Sequence, residues 1–178
     1  EKLNIVGDEQ ADLVNHGGID KAIYAFSAGH YPYWKETLQV TDLPPGSFGE
    51  NFTVTNLNED NFKIGDQYRF GTALLEVSQP RIPCFKLGIA LKNKQAPKLF
   101  IENAATGVYF RVLESGKVKT GDAVILEKKT YHDITVKKLF RAYFDKSFGD
   151  SEPVLSAAYE LDELAAPWKE MLRKRLIG

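Results

Sequence analysis

From residue 1 to about 131 the chain never runs far without a glycine or a proline, and the stretches between them are short. KAIYAF (21–26), NFTVT (51–55), QYRFGTALLEV (67–77), VYFRVL (108–113) and AVILEKK (123–129) alternate in polarity and favour β-branched and aromatic residues. That texture predicts strands of a mostly antiparallel, barrel-like domain. Ile64-Gly65-Asp66 and Thr120-Gly121-Asp122 echo each other, each just ahead of a strand. They read as a pair of tight turns, Gly supplying the backbone angle and Asp bonding its own backbone, and not as phosphate loops. Two brief helices are expected, over 31–38 with Trp34 and Leu38 on one face, and over 96–103, ended near Gly107.

After Tyr131 the period changes. Val136, Leu139, Phe140, Tyr143 and Phe144 form one helical stripe within 134–144, best read as core and not as a nucleotide-stacking surface. Ser151-Glu152-Pro153 has the form of a helix start with Ser as cap, and Pro167 opens a last basic helix carrying Trp168, Met171, Leu172 and Leu176. Three helices this short need packing partners, each other or the barrel. The expected fold class is therefore mostly β with α: a β-barrel-like domain over 1–131 and a small three-helix subdomain over 132–178.

A net charge of −1, from 23 basic and 24 acidic residues, supplies no global field for nucleic acid or anionic lipid, so any bound anion must be met by local groups. No apolar run approaches a membrane span and no signal peptide is visible, so the expectation is a cytoplasmic protein with neither a membrane nor a nucleic-acid partner. Cys84 is the sole cysteine, which excludes an internal disulfide and a multi-cysteine zinc site. His16, His30 and His132 are too scattered for a metal helix. Any metal would take one thiolate from the protein and most of its ligands from a cofactor.

Four segments gather polar, Gly and Pro residues beside apolar strands. In 7–22, His16 is followed by two glycines that let the backbone approach a ligand, and Lys21, expected just inside the next strand, could meet an anion. Taken alone, this segment reads first as a Gly loop with a solvated lysine. In 44–53, Asn51 can donate and accept along a heterocycle edge, while Glu50 could hold a basic neighbour or merely cap a turn. In Ser78-Gln79-Pro80-Arg81-Ile82-Pro83-Cys84-Phe85-Lys86-Leu87, two prolines fix the backbone and set Arg81, a fork of donors for phosphate, against Cys84, a soft ligand. An isolated cysteine is commonly a small buried hydrophobe, and the residues alone favour that reading. The basic cluster Lys169, Arg173, Lys174 and Arg175 reads as a solvated face. A Cys84–His16 nucleophile–base pair has nothing in the sequence to bring its members together.

The ordered set GDEQADLVNHGGIDKAIYAF, PGSFGENFTV and IGDQYRFGTALLEVSQPRIPCFKL resembles the YiiM-type MOSC domains, named after the C-terminal part of molybdenum cofactor sulfurases, from residue 7 to about 129. The tail, with LSAAYELDELAAPWKEMLRKRL, resembles the three-helix extension of that branch. HGG-x-DKA, FGEN and SQPR-x-PC are specific in combination and weak singly. Family members carry further residues, including a first strand, ahead of GD-x-QAD; only six stand there, so an N-terminal piece is expected to precede Glu1.

The resemblance implies a MOSC-type barrel-like fold that holds the molybdenum cofactor (molybdopterin) in a cleft, with Cys84 as metal ligand. His16, Lys21, Asn51 and Arg81 become the further cofactor-binding candidates, and Cys84, His16 and Lys21 the catalytic ones. It also implies a reductase of N-hydroxylated bases such as 6-hydroxylaminopurine, a detoxification, with a separate redox protein as electron donor. The alternative is a carrier of the cofactor, or of sulfur as a Cys84 persulfide, without reductase activity. The oligomeric state is left open.

Overall fold

The computed structural model describes residues 18–149 and 151–178. Six strands, β1 (Ile23–Ser27), β2 (Phe52–Val54), β3 (Gln67–Phe70), β4 (Ala73–Pro80), β5 (Val108–Glu114) and β6 (Val124–Lys128), form one sheet in the order β2-β1-β5-β4-β3-β6. β1 and β2 run parallel; every other pairing is antiparallel. The sheet is the curled, barrel-like one expected of the β domain.

The period-2 rule builds the core directly. In β1, Ile23 and Ala25 face one hydrophobic cluster while Tyr24 and Phe26 face a second on the other side. β1 and β4 are buried along their whole length, so both faces of the sheet centre are covered.

Helices α1 (Tyr31–Leu38), α2 (Phe85–Ala90) and α3 (Ala96–Asn103) pack on the Tyr24 side, where Trp34, Phe48 and Phe100 are fully buried. Pro32 and Pro97 sit in the first turns of α1 and α3, where the missing N–H costs nothing. α4 (Val136–Phe144), α5 (Ser151–Tyr159) and α6 (Ala166–Ile177) share the other cluster with the sheet: Val136, Leu139, Phe140, Leu155, Trp168 and Leu172 lie in it beside Phe110 and Val77. The three helices thus pack on one another and on the sheet. The stripe at 136–144 is core, with Thr135 capping α4 through Lys138 N.

Two expectations are corrected. The run 67–77 is two strands folded back at Gly71-Thr72, with β3 and β4 paired from Phe70–Ala73 to Gln67–Glu76. Lys21 ends a 3-10 turn (Ile19–Lys21), its N–H bonded to Gly18 O at 3.1 Å, and does not lie inside β1. The echoed turns are as expected: Asp66 and Asp122 each accept the backbone N–H three residues back, from Lys63 (3.2 Å) and Lys119 (2.9 Å).

Candidate functional site

β4 ends at Pro80, and the chain leaves the sheet as Arg81-Ile82-Pro83-Cys84 before entering α2. The Pro80 carbonyl is taken by Trp168 Nε1 at 3.0 Å, so α6 pins the point where the segment departs. Cys84 is extended (φ −123°, ψ 176°), half-buried and in no disulfide, and its carbonyl accepts Leu87 N at 3.0 Å.

The Arg81 guanidinium lies over the Tyr24 ring, 4.7 Å from its centroid, and 5.7 Å from that of Phe100, while Nη1 donates to Phe48 O. Burial pulls its pKa down, but the Tyr24 and Tyr109 phenols and Cys84 more than offset this, and the net direction is up. Arg81 is a permanent cation held by aromatic faces. Burial pushes the Tyr24 and Tyr109 phenols above their usual range, with Arg81 pulling back only part, so both are protonated O–H groups at neutral pH. Their rings stand 4.8 Å apart, and Tyr24 Oη donates to Thr106 O at 2.8 Å.

Asn51 Oδ1 accepts Tyr24 N at 2.7 Å and Asn51 N donates to Tyr24 O at 2.8 Å, a bracket tying the 44–51 loop to β1. Glu50 caps the turn: its carboxylate takes Phe48 N (3.1 Å), Thr53 Oγ1 (2.9 Å) and the Tyr31 hydroxyl. Beside Lys21, Asp20 is anchored twice, its carboxylate by Arg111 Nε (2.9 Å) and its carbonyl by Ser78 Oγ (2.5 Å). Arg111 also holds Glu76 Oε1 (2.9 Å) and Glu163 O (2.7 Å), joining the motif turn, β4 and the helical module at one cation.

His16, and with it any pairing with Cys84, lies outside the described residues. The other histidines serve structure: His30 Nε2 meets the buried Glu59 carboxylate at 2.9 Å, and His132 Nδ1 accepts Ile134 N at 3.1 Å. In the basic cluster of α6, Arg173 and Lys174 pair with Glu170 on an exposed face, as the solvated reading expects.

Lys21, Arg81, Cys84, Lys86 and Tyr109 are shared by two adjoining lobes of one cleft. The lobe of about 300 Å³ adds Tyr24, Gly49 and Asn51. The lobe of about 480 Å³ adds Gln79 and, from α6, Pro167, Trp168 and Met171. A larger hollow of about 900 Å³ near the β3–β4 turn holds none of the motif residues.

Sequence reasoning missed Tyr24, Gln79, Lys86, Tyr109 and the α6 wall as site residues. The only available signal was the alternation of β1 and β5, which marks Tyr24 and Tyr109 as facing one side without saying what they meet. Among the described residues no group of three or more His, Cys, Asp or Glu is placed to hold a metal. One thiol beside Lys21, Arg81 and Lys86 suits an anionic group that brings its own metal ligands, so the donor set fits a phosphate-bearing metal cofactor.

Comparisons with known proteins identify the family to which the chain belongs. A family model described as the MOSC domain matches residues 12–125, and one described as the YiiM-like, 3-alpha helix domain matches residues 134–177. The protein YflK of Bacillus subtilis (strain 168) is 41% identical over 97% of this chain and 76% of its own. A protein of Gibberella moniliformis named reductase is 38% identical over 78% of this chain but only 26% of its own. The crystal structure of YiiM from Geobacillus stearothermophilus superposes with a TM-score of 0.83 at 34% identity, covering 89% of this chain and 80% of that one. Among the described residues no helix is long and apolar enough to cross a membrane.

Proposed function

We propose, since this chain belongs to the MOSC domain family and carries a YiiM-like three-helix domain, that it binds the molybdenum cofactor and reduces N-hydroxylated bases. The supporting observation is convergence: Lys21, Asn51, Arg81 and Cys84, from three motifs far apart in sequence, line one cleft with the sole cysteine on its wall. The reductase name of the Gibberella relative supports the reaction class.

In this reading Cys84 is the protein's thiolate ligand. Arg81 and Lys21 offset the phosphate, and Arg81 is suited to it because its aromatic bed fixes the guanidinium before any ligand arrives. Asn51 holds the rim. The cofactor, when bound, supplies two-electron redox chemistry. The overall change is R–NHOH + 2 e⁻ + 2 H⁺ → R–NH₂ + H₂O, the electrons coming from a separate redox protein. Protons reach the leaving hydroxyl from His16 or from solvent.

The test is expression in a host that makes the cofactor, with molybdenum and pterin counted per chain in wild type and Cys84→Ser. Turnover of 6-hydroxylaminopurine with a reduced donor follows. Near-stoichiometric molybdenum, lost or spectrally altered in the variant, together with wild-type turnover supports the reading. Equal cofactor in both removes Cys84 as ligand. Cofactor without turnover leaves the carrier, and no cofactor in either removes the reading altogether.

A further inference from the structure

We propose that the outer face of α2 and the loop after it dock the acidic surface of the electron-carrying redox protein, with Phe85 and Ile89 at the centre of the contact and Lys92, Lys94 and Lys98 around it. This names the partner of the reductase reading and rests on that reading only for the claim that the docked protein delivers electrons.

Phe85 and Ile89 stand four residues apart in α2 and so share one face of it, and they are 71% and 69% exposed. The opposite side of the helix is packed, with Leu87 and Gly88 buried, so the apolar pair is held outward by a fixed element. Gly88 lets the following loop lie against α2: a Cβ there would stand 3.0 Å from Asn93 O. Asn93 N donates to Gly88 O at 2.9 Å and Lys92 N to Ile89 O at 3.1 Å, which holds the loop at the end of the helix. Lys92 and Lys94 are exposed there, and no carboxylate pairs with either among the described residues. Lys98, on α3, meets only the exposed Glu102 at 3.7 Å. No Asp or Glu stands between residues 81 and 101, although the whole chain is balanced at −1. The charge is therefore local, and it attracts an anionic surface. An aromatic and aliphatic centre with a charged rim is the make-up of a transient protein interface, whose centre is desolvated and whose rim steers the encounter. Nucleic acid would use the lysines and leave the apolar pair in water, and six residues give a bilayer little to hold. Phe85 also lines the lobe that contains Cys84, so a protein seated on this face stands at the mouth of the cleft, where the electrons are needed.

The experiment measures binding before turnover. Protein from a cofactor-making host is titrated calorimetrically with flavodoxin and with plant-type [2Fe–2S] ferredoxin, two small acidic redox proteins, at low salt and at about 0.3 M salt. Wild type is compared with the double variant Lys92→Glu/Lys94→Glu and with Ile89→Ser, all outside the cleft. At least one carrier should bind wild type, at least about tenfold more weakly at the higher salt and in the double variant, and several-fold more weakly in Ile89→Ser. Molybdenum content and melting temperature should not change. Turnover of 6-hydroxylaminopurine driven by that carrier should fall in the same order, while turnover driven by reduced methyl viologen, a small cation that needs no docking face, should not fall. The proposal is overturned if neither carrier binds, or if binding ignores both salt and the variants. It is overturned equally by another occupant: a wild-type dimer that Ile89→Ser makes monomeric assigns the face to a second copy, and binding to phosphatidylglycerol vesicles that the double variant loses assigns it to a membrane. Salt-sensitive carrier binding without turnover from either donor would leave the docking face standing and remove the reductase. Viologen-driven turnover without carrier binding would do the reverse.

Discussion

Replacing Arg111 by Met keeps an unbranched stem like that of arginine and removes the cation that joins three parts of the molecule. Arg111 meets Asp20 Oδ1 at 2.8 Å through Nη2 and Glu76 Oε1 at 2.9 Å through Nη1, with side chains 17%, 29% and 10% exposed for Arg111, Asp20 and Glu76. Exposed pairs contribute about 0–1 kcal/mol, whereas breaking a buried one costs about 3–5 kcal/mol. This cluster lies between those limits. Glu76 keeps one donor after the change, Gln67 Nε2 at 2.9 Å, but Glu163 O loses its guanidinium donor. The expected loss is about 2–3 kcal/mol. For a chain of this size that lowers the melting temperature by roughly 5–10 °C. Urea unfolding at pH 7 measures it, and Glu76→Gln alone and combined with Arg111→Met isolates the coupling. Because Arg111 also holds the seam between sheet and helices, hydrogen exchange at Ala165 N, bonded to Ser78 O at 3.1 Å, should accelerate in the variant. A loss below about 1 kcal/mol with unchanged exchange at Ala165 would show that Arg111 acts as a surface charge, and the reasoning would fail.

Trp168→Phe removes the donor to Pro80 O and part of the cleft wall, and should cost about 2–3 kcal/mol by calorimetry, most of it from an unpaired buried carbonyl. Gly107→Ala places a side chain on a residue at φ +66°, with its Cβ 2.5 Å from Ala25 O and 2.7 Å from the Tyr24 ring. A loss of about 2–4 kcal/mol in urea is expected, with weakened ligand binding because Tyr24 carries Arg81. The Asp145 carboxyl is held down to about 2, first by the Ser147 hydroxyl and then by Arg141. Its folded pKa lies below the unfolded value, so its stabilisation is present above pH 4 or so and fades as pH falls towards 2. Ser147→Ala should shift the Asp145 titration upward by NMR, and an unchanged titration would reject the hydroxyl as the main cause.

Much of the fold was legible because its signals are local. Trp34 and Leu38 on one face mark α1, the alternation of β1 and β5 is plain, and the apolar stripe from Val136 to Phe144 marks α4. Where the reading failed, a longer-range contact decided. The run 67–77 looks like one strand, and only the register with β4 shows that Gly71-Thr72 reverses it. α2 has six residues with Gly88 among them, too short for a period to register. Lys21 was read into a strand because nothing in DKA reveals that Gly18, at φ 101°, turns the chain through a 3-10 turn first.

The candidate site divides in the same way. Lys21, Asn51, Arg81 and Cys84 stood out for their Gly- and Pro-rich neighbours, but composition alone favoured a solvated lysine and a buried thiol, and the resemblance to MOSC domains is what joined them in one candidate site. Tyr24, Gln79 and Tyr109 carry no such mark, because in a strand each is simply the next outward or inward residue. Their place in the cleft depends on β4 pairing with β5 so that Gln79 stands opposite Tyr109, and on β1 carrying Tyr24 beneath Arg81. The α6 wall was the least legible part. Trp168 and Met171 read as ordinary helix-core positions, and Trp168 is indeed fully buried in the core. Only the bond from its Nε1 to Pro80 O brings this core residue to the residue preceding Arg81, where the cleft begins. A helix that looks like a packing accessory in sequence therefore closes one side of the site. Changes on its buried face should alter ligand selection as well as stability, whereas changes at its exposed Arg173 and Lys174 should alter neither.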